Sequence, residues 1–114
     1  MATRPFYNTQ KWRKKRTAIL KRDSYLCQEC KRYGKTTEAS PVHHVIPLEW
    51  CLDNKPELAL ASKNLLSMCF VCHNRMDDRF IDRLSKDGLA LVKRIYGMNT
   101  PEGWSEYVKQ YESI

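Results

Sequence analysis

His43, His44, His73 and four of the five cysteines carry most of the reactive chemistry in this 114-residue chain. His43 and His44 are adjacent within the apolar run Pro41-Val42-His43-His44-Val45-Ile46-Pro47-Leu48. Val42, Val45, Ile46 and Leu48 favour an extended backbone, and Pro47 ends or edges the strand. Successive side chains on a strand point to opposite faces, so one imidazole can hold a metal while the other faces a substrate. A histidine pair alone is more often incidental than catalytic, and the downstream residues reverse those odds.

Cys27 and Cys30, and then Cys69 and Cys72, form two C-x-x-C pairs separated by 38 residues. Four thiolates in that pairing select zinc and close its tetrahedron, leaving no position for water or substrate. Such a site is structural; a redox dithiol is the competing reading. Cys51 has no partner in sequence. His73 directly follows Cys72, and neighbours on a helix diverge by about 100°. The cysteine can therefore face zinc while His73 faces the strand bearing His43. Together His43 and His73 can hold a second cation with positions open for a phosphate oxygen and water, the layout of a catalytic metal. His44, on the other strand face, is left to act as a base, and its reference pKa of about 6.5 suits proton transfer near neutrality.

The elements that must position these groups follow from pattern. Residues 1–7 read as an arm, and Asn8 or Thr9 caps a helix running to Arg22 with Trp12, Ile19 and Ala18 as its apolar contacts. Gly34 suits a turn beside the first zinc knuckle, and residues 36–40 a short strand. Residues 49–63 read as an irregular loop with a turn at Asp53-Asn54-Lys55-Pro56 and a helical turn at Glu57 to Ala61. Asn64 to Met68 forms the second strand. A helix is expected from about Phe70 to Ser85, with Met76, Phe80 and Leu84 as its buried stripe and Arg75, Asp78, Arg79 and Asp82 paired outside. A further helix carries Leu89, Val92, Ile95 and Tyr96 to Gly97. Thr100-Pro101-Glu102 starts the last one, whose Trp104, Tyr107, Val108 and Tyr111 read as core in preference to a binding surface.

Length fits one domain, 1–114, with a core at about 6–85 and a helical extension at 86–114; a domain this small buries a modest core, which a metal staple would reinforce. The net charge is +7. Residues 1–35 hold eleven basic side chains against Asp23 and Glu29, while the remainder is slightly acidic. Lys11, Arg13, Lys14, Lys15, Arg16, Lys21 and Arg22 crowd one predicted helix. A solvated helix face explains part of this, and a polyanion partner, with the helix along a phosphate backbone, explains the density. No signal peptide or membrane-spanning run is visible.

The order His44, Asn64, His73, with His43 and Pro47 around the first histidine, paired C-x-x-C knuckles and the Cys72-His73-Asn74 ending, resembles the HNH endonucleases, and more narrowly the small phage and prophage members encoded beside DNA-packaging genes. The resemblance covers about residues 6–85. It implies an α+β, zinc-stabilised ββα-metal fold with an N-terminal basic helix and C-terminal helices. It also implies cleavage of DNA phosphodiester bonds in the cytoplasm of a bacterial host, with terminase or other packaging proteins as possible partners. By position, His43 and His73 become ligands of one divalent cation (Mg2+, Mn2+, Ni2+ or Zn2+), His44 the general base, and Asn64 the residue that constrains the loop and orients the base. Many relatives have aspartate in place of His43, and a pair of imidazoles favours later transition metals over magnesium. The alternative of another class is a zinc-stabilised nucleic-acid-binding module without activity, which would need none of His43, His44, Asn64 and His73.

Overall fold

The computed structural model describes residues 4–78 and 83–112, with backbone alone at Arg4, Tyr111 and Glu112. Its centre is a two-stranded antiparallel sheet, β1 (Val42–His44) and β2 (Leu65–Ser67), paired Val42 to Ser67, His43 to Leu66 and His44 to Leu65. Two short strands are marginal on their own, so the surrounding elements must clad both faces and the edge.

The N-terminal segment covers one face. Residues 4–7 are a short helix, α1 (Arg4–Tyr7), where an arm was expected. Thr9 then caps α2 (Gln10–Arg22), its side-chain oxygen accepting from Trp12 N–H at 3.2 Å. Trp12, Ile19 and Leu20 are the buried residues of α2, and Ala18 is exposed. They pack against Val42 and Leu65. The carboxyl end of α2 seals the open edge of β2: Arg22 donates to the Leu65 carbonyl at 2.8 Å, and the Asp23 carboxylate accepts from Ser67 N–H at 3.0 Å. These bonds satisfy backbone groups that a two-stranded sheet leaves bare.

On the other side lie the zinc-type knuckles and the C-terminal helices. Cys27 opens α3 (Gln28–Arg32), and Gly34, at φ 80°, turns the chain as expected. The strand expected at 36–40 shrinks to one bridge, Leu26 to Glu38. The expected loop at 49–63 is mostly helical: α4 (Leu48–Asn54) begins directly after Pro47, and 3-10 turns follow at Pro56–Leu60 and Ser62–Asn64. Leu48, Trp50 and Cys51 are its buried positions, and this i, i+2, i+3 spacing is too short a sample to declare a period.

The helix expected over 70–85 is cut to α5 (Phe70–Arg75), followed by a hairpin of β3 (Asp77–Asp78) and β4 (Arg83–Leu84). Arg79, Phe80 and Asp82 lie outside the described residues. Two aspartates are poor helix interior and are repelled by the negative end of the helix dipole. Met76 and Leu84 do share the core, brought there by the hairpin in place of a helical stripe. Ser85 joins this turn to α6 (Lys86–Tyr96): its hydroxyl donates to the Arg75 carbonyl at 2.5 Å and accepts from Gly88 N–H at 3.2 Å as the helix cap. Leu91 joins Val92 and Tyr96 in the core, while Leu89 and Ile95 are half-buried. The final helix, α7 (Trp104–Glu112), starts after the expected Thr100-Pro101-Glu102. Trp104 is buried edge-on against Trp50, as a core reading of that face requires; the Tyr111 side chain lies outside the described residues. Among the described residues no helix is long and apolar enough to cross a membrane.

Gly88 is the tightest point of this packing, since a Cβ there would fall 2.2 Å from the Met76 carbonyl oxygen. Gly88→Ala gains about 1 kcal/mol in helix propensity, yet the clash is with backbone that cannot yield locally. Overpacking of this kind costs about 1–3 kcal/mol or more, so a net loss is expected. Urea denaturation of the variant checks it; an unchanged or raised midpoint would contradict this packing.

Candidate active site

Alternation along β1 decides the site. Val42 and His44 share the face toward α2 with Leu65 and Ser67, whereas His43 shares the opposite face with Leu66. His43 accordingly meets α5, its Nδ1 lying 3.2 Å from Nδ1 of His73. His44 meets α2 instead, stacked on Trp12 with ring centroids 5.1 Å apart and planes at 23°. The structure thus brings His43 and His73 together and separates His44 from them, as the sequence pattern predicts.

The His43 and His73 nitrogens suit a shared cation. Two nitrogens each about 2.1 Å from one metal lie about 3.0 Å apart at a right angle and about 3.4 Å apart at the tetrahedral angle, and 3.2 Å falls between. His43 is buried, and its Nε2 has no hydrogen-bond partner among the described residues. Burial, reinforced by the neighbouring His73 and His44, pushes its pKa down to about 3. It therefore stays neutral and presents a lone pair, which is the form that binds a metal.

His44 Nε2 lies 3.0 Å from the carbonyl oxygen of Ala59. A carbonyl can only accept, so Nε2 carries the proton and Nδ1 the lone pair. Burial lowers the His44 pKa to about 4 against the opposing pull of the Ala59 carbonyl, with His73 adding to the depression. His44 is therefore neutral well below the reference value of about 6.5.

Asn64 is fully buried beneath the turn that follows His44. Its Oδ1 accepts from Ile46 N–H at 2.9 Å and from the Tyr96 hydroxyl at 2.8 Å; its Nδ2 donates to the Ile46 carbonyl at 3.1 Å. Its own carbonyl accepts from Val45 N–H at 2.8 Å. The side chain faces neither imidazole pair directly but clamps the backbone that fixes where His44 points. Tyr96 was legible in sequence only as an apolar helix position, because nothing in a pattern announces what a hydroxyl will reach. Cys51 belongs to the same buried knot, its Sγ 3.5 Å from the Ile46 carbonyl.

Cys27, Cys30, Cys69 and Cys72 form one cluster whose sulfurs all lie within 4.8 Å of each other. Zinc–sulfur bonds of about 2.3 Å in a tetrahedron put sulfurs about 3.8 Å apart; Cys30 lies 3.9 Å from Cys69 and 3.7 Å from Cys72. Burial pushes the Cys27 and Cys72 thiols up. At Cys69 burial is outweighed by the Cys72 backbone N–H and the neighbouring thiols, which pull it to about 7. A cation among the four would favour all their thiolates together. Glu29 within the first knuckle bonds Arg94 of α6 at 2.7 Å and Arg32 at 2.9 Å, tying the cluster to the C-terminal helices.

The seven basic residues of α2 divide into two sets. Lys15 donates to Ser62 Oγ at 2.6 Å, Arg16 to the Ser40 carbonyl at 2.7 Å, and Arg22 to the Ser62 and Leu65 carbonyls. These three serve the fold. Lys11, Arg13, Lys14 and Lys21 are exposed.

Three comparisons with known proteins point the same way as to family. A sequence model of the family described as HNH endonuclease matches residues 27–79. A "Probable HNH endonuclease" of Lactococcus phage SK1 is 28% identical over 75 residues, covering 66% of this chain and 78% of that protein. The crystal structure of the HNH endonuclease of deep-sea thermophilic bacteriophage GVE2, solved with a manganese ion, superposes with a TM-score of 0.59 at 35% identity, over 84% of this chain and 87% of that one.

Lowered histidine pKa values carry a sign. Between about pH 6.5 and 4 the unfolded chain binds protons that buried His43 and His44 refuse, so stability falls as pH falls through that window. In protein without added divalent cation, imidazole nitrogen NMR at pH 5.5 should report His44 as the neutral Nε2–H tautomer. A charged His44 at that pH would refute the buried geometry.

Proposed function

The chain belongs to the HNH endonuclease family, and we propose that it is a metal-dependent nuclease that hydrolyses phosphodiester bonds of duplex DNA, nicking it or cutting both strands. The observation that carries this reading is the division of labour on β1, with His43 paired to His73 on one face and His44 in its base-competent tautomer on the other. His43 and His73 would hold the divalent cation, for which Mg2+, Mn2+, Ni2+ and Zn2+ are the candidates. When bound, such a cation supplies Lewis-acid stabilisation of charge on phosphate oxygens. The manganese ion in the GVE2 enzyme supports that class of cofactor. The four cysteines would hold a structural zinc.

His44 Nδ1 takes a proton from water as the water oxygen attacks phosphorus, and the bond from phosphorus to O3′ breaks. The leaving oxygen picks up a proton, giving 3′-hydroxyl and 5′-phosphate ends as in the family at large. Ala59 holds the Nε2 proton, so the imidazole cannot present the wrong nitrogen. Asn64 and Tyr96 hold the turn that carries it. Lys11, Arg13, Lys14 and Lys21 contact backbone phosphates, which gives affinity and orientation but little sequence information. The phage origin of the two similar nucleases supports action on DNA inside a bacterial host. Processing of phage DNA alongside a terminase is the setting we favour.

Replacing the histidines separates their roles. His44→Ala should lower single-turnover cleavage at least about a hundredfold while leaving cation binding and DNA affinity near wild type. His43→Ala should weaken the cation, so that raised metal concentration restores part of the rate. A His44 variant that turned over normally, or a His43 variant with unaltered cation affinity, would reverse these assignments.

Phosphate contacts are read from salt. Each contact contributes about −0.9 to the log-log slope of duplex affinity against salt, so Lys11→Ala, Lys14→Ala and Lys21→Ala combined should flatten it by about 2 to 3. The same slope in the triple variant would move the DNA surface off α2.

A further inference from the structure

The base is enclosed by an aromatic cluster that the family match does not reach, since that match begins at residue 27. Trp12 covers one face of the His44 imidazole, its plane within 23° of the ring. Phe6 and Tyr7 meet the same imidazole edge-on at 5.8 and 6.2 Å, and each lies 5.4 Å from the Trp12 ring. Thr9 fixes the angle between the two helices that carry them: its hydroxyl donates to the Phe6 carbonyl at 2.8 Å and accepts from Trp12 N–H.

One hydrogen bond fixes one point of a ring. The Ala59 carbonyl anchors His44 Nε2, but the imidazole can still tilt about that anchor, and tilting swings the Nδ1 lone pair. A stacked face removes that freedom. Proton transfer is sensitive to such orientation, and misplacement of a reacting group by about 1 Å can cost a hundredfold in rate. We propose that Trp12 is a positioning residue for the general base, and that α1 with its Phe6 and Tyr7 completes a clamp that makes α1 and the first turn of α2 part of the catalytic apparatus. This rests on the reading of His44 as the base.

Trp12→Leu keeps an apolar side chain and removes the flat face; Trp12→Phe keeps a smaller flat face. At saturating DNA and cation, Trp12→Leu should slow single-turnover cleavage about tenfold or more, within the range expected for loss of orientation. Its DNA affinity should stay within about twofold of wild type, as expected if phosphate contacts on exposed lysines carry binding. Trp12→Phe should recover most of the rate. Relaxation of the His44 ring carbons in Trp12→Leu should show an imidazole more mobile than in the wild type with its Nε2–H tautomer kept, because the Ala59 anchor remains while the face that stops it tilting is gone. Phe6→Leu, at the rim of the cluster, should show the same two effects more weakly, and it decides the matter if Trp12→Leu does not fold. A folded Trp12→Leu with wild-type rate and ring mobility, or Phe6→Leu with both unchanged where the former is unfolded, overturns the clamp. Normal cleavage by His44→Ala would instead overturn the base assignment, and the ring-mobility readout, which needs no cleavage, keeps the two failures apart.

Discussion

A buried side-chain amide is costly unless all of its hydrogen-bonding capacity is met, and at Asn64 most of it is. The amide joins three parts of the chain that are distant in sequence: the turn at Ile46, its own position before β2, and Tyr96 at the end of α6. Removing the Tyr96 hydroxyl would leave Oδ1 with one of its two donors at zero exposure. The register of β1 against β2, and with it the choice of which histidine faces which helix, depends on this knot. A slip of one residue would send His43 toward Trp12 and His44 toward His73.

Two strands of three residues cannot enforce that register alone. The rest of the molecule supplies the enforcement from three directions. Side chains at the end of α2 hydrogen-bond the outer edge of β2, the four-cysteine cluster joins the first knuckle to α5, and Arg94 joins the same knuckle to α6 through Glu29. Structural zinc contributes folding energy directly in small domains, which suits a chain whose sheet is so slight. Helix α6 is therefore not an appendage, because it supplies Tyr96 to the buried amide and Arg94 to Glu29 of the first knuckle.

The histidines and the cysteines were legible in the sequence because their chemistry is carried by residue type and spacing, whereas Asn64 was marked out only by the resemblance to the HNH endonucleases. Opposite faces for His43 and His44 followed from strand period alone. What the sequence hid was of two kinds. Short elements escaped detection: α1 and α4 are too brief for a 3.6-residue period to declare itself, and the hairpin after Arg75 was masked by Met76 and Leu84, whose spacing of eight also fits two helical turns. Long-range polar contacts escaped as well. Nothing in the local pattern assigns Lys15, Arg16 and Arg22 to carbonyls and a hydroxyl elsewhere in the fold, so all seven basic residues of α2 looked alike.

That division among the basic residues bears on how binding and chemistry are connected. Exposed Lys11 and Arg13 flank Trp12, whose buried ring stacks on His44. On the reading of His44 as the base and of those neighbours as phosphate contacts, a held phosphate would pull on the helical turn whose Trp12 stacks on His44, while Arg16 and Arg22, further along α2, hold that helix to Ser40 and to β2. The helix is thus fixed to the sheet near its carboxyl end and presents charge near its amino end. Because cores and packed interfaces resist continuous deformation, a load on the amino end is transmitted to the Trp12 ring as a rigid displacement and is not absorbed along the helix. On that reading substrate affinity and base orientation would be properties of one rigid element, and a change in the surface charge of α2 that altered its seating would register in the rate as well as in binding.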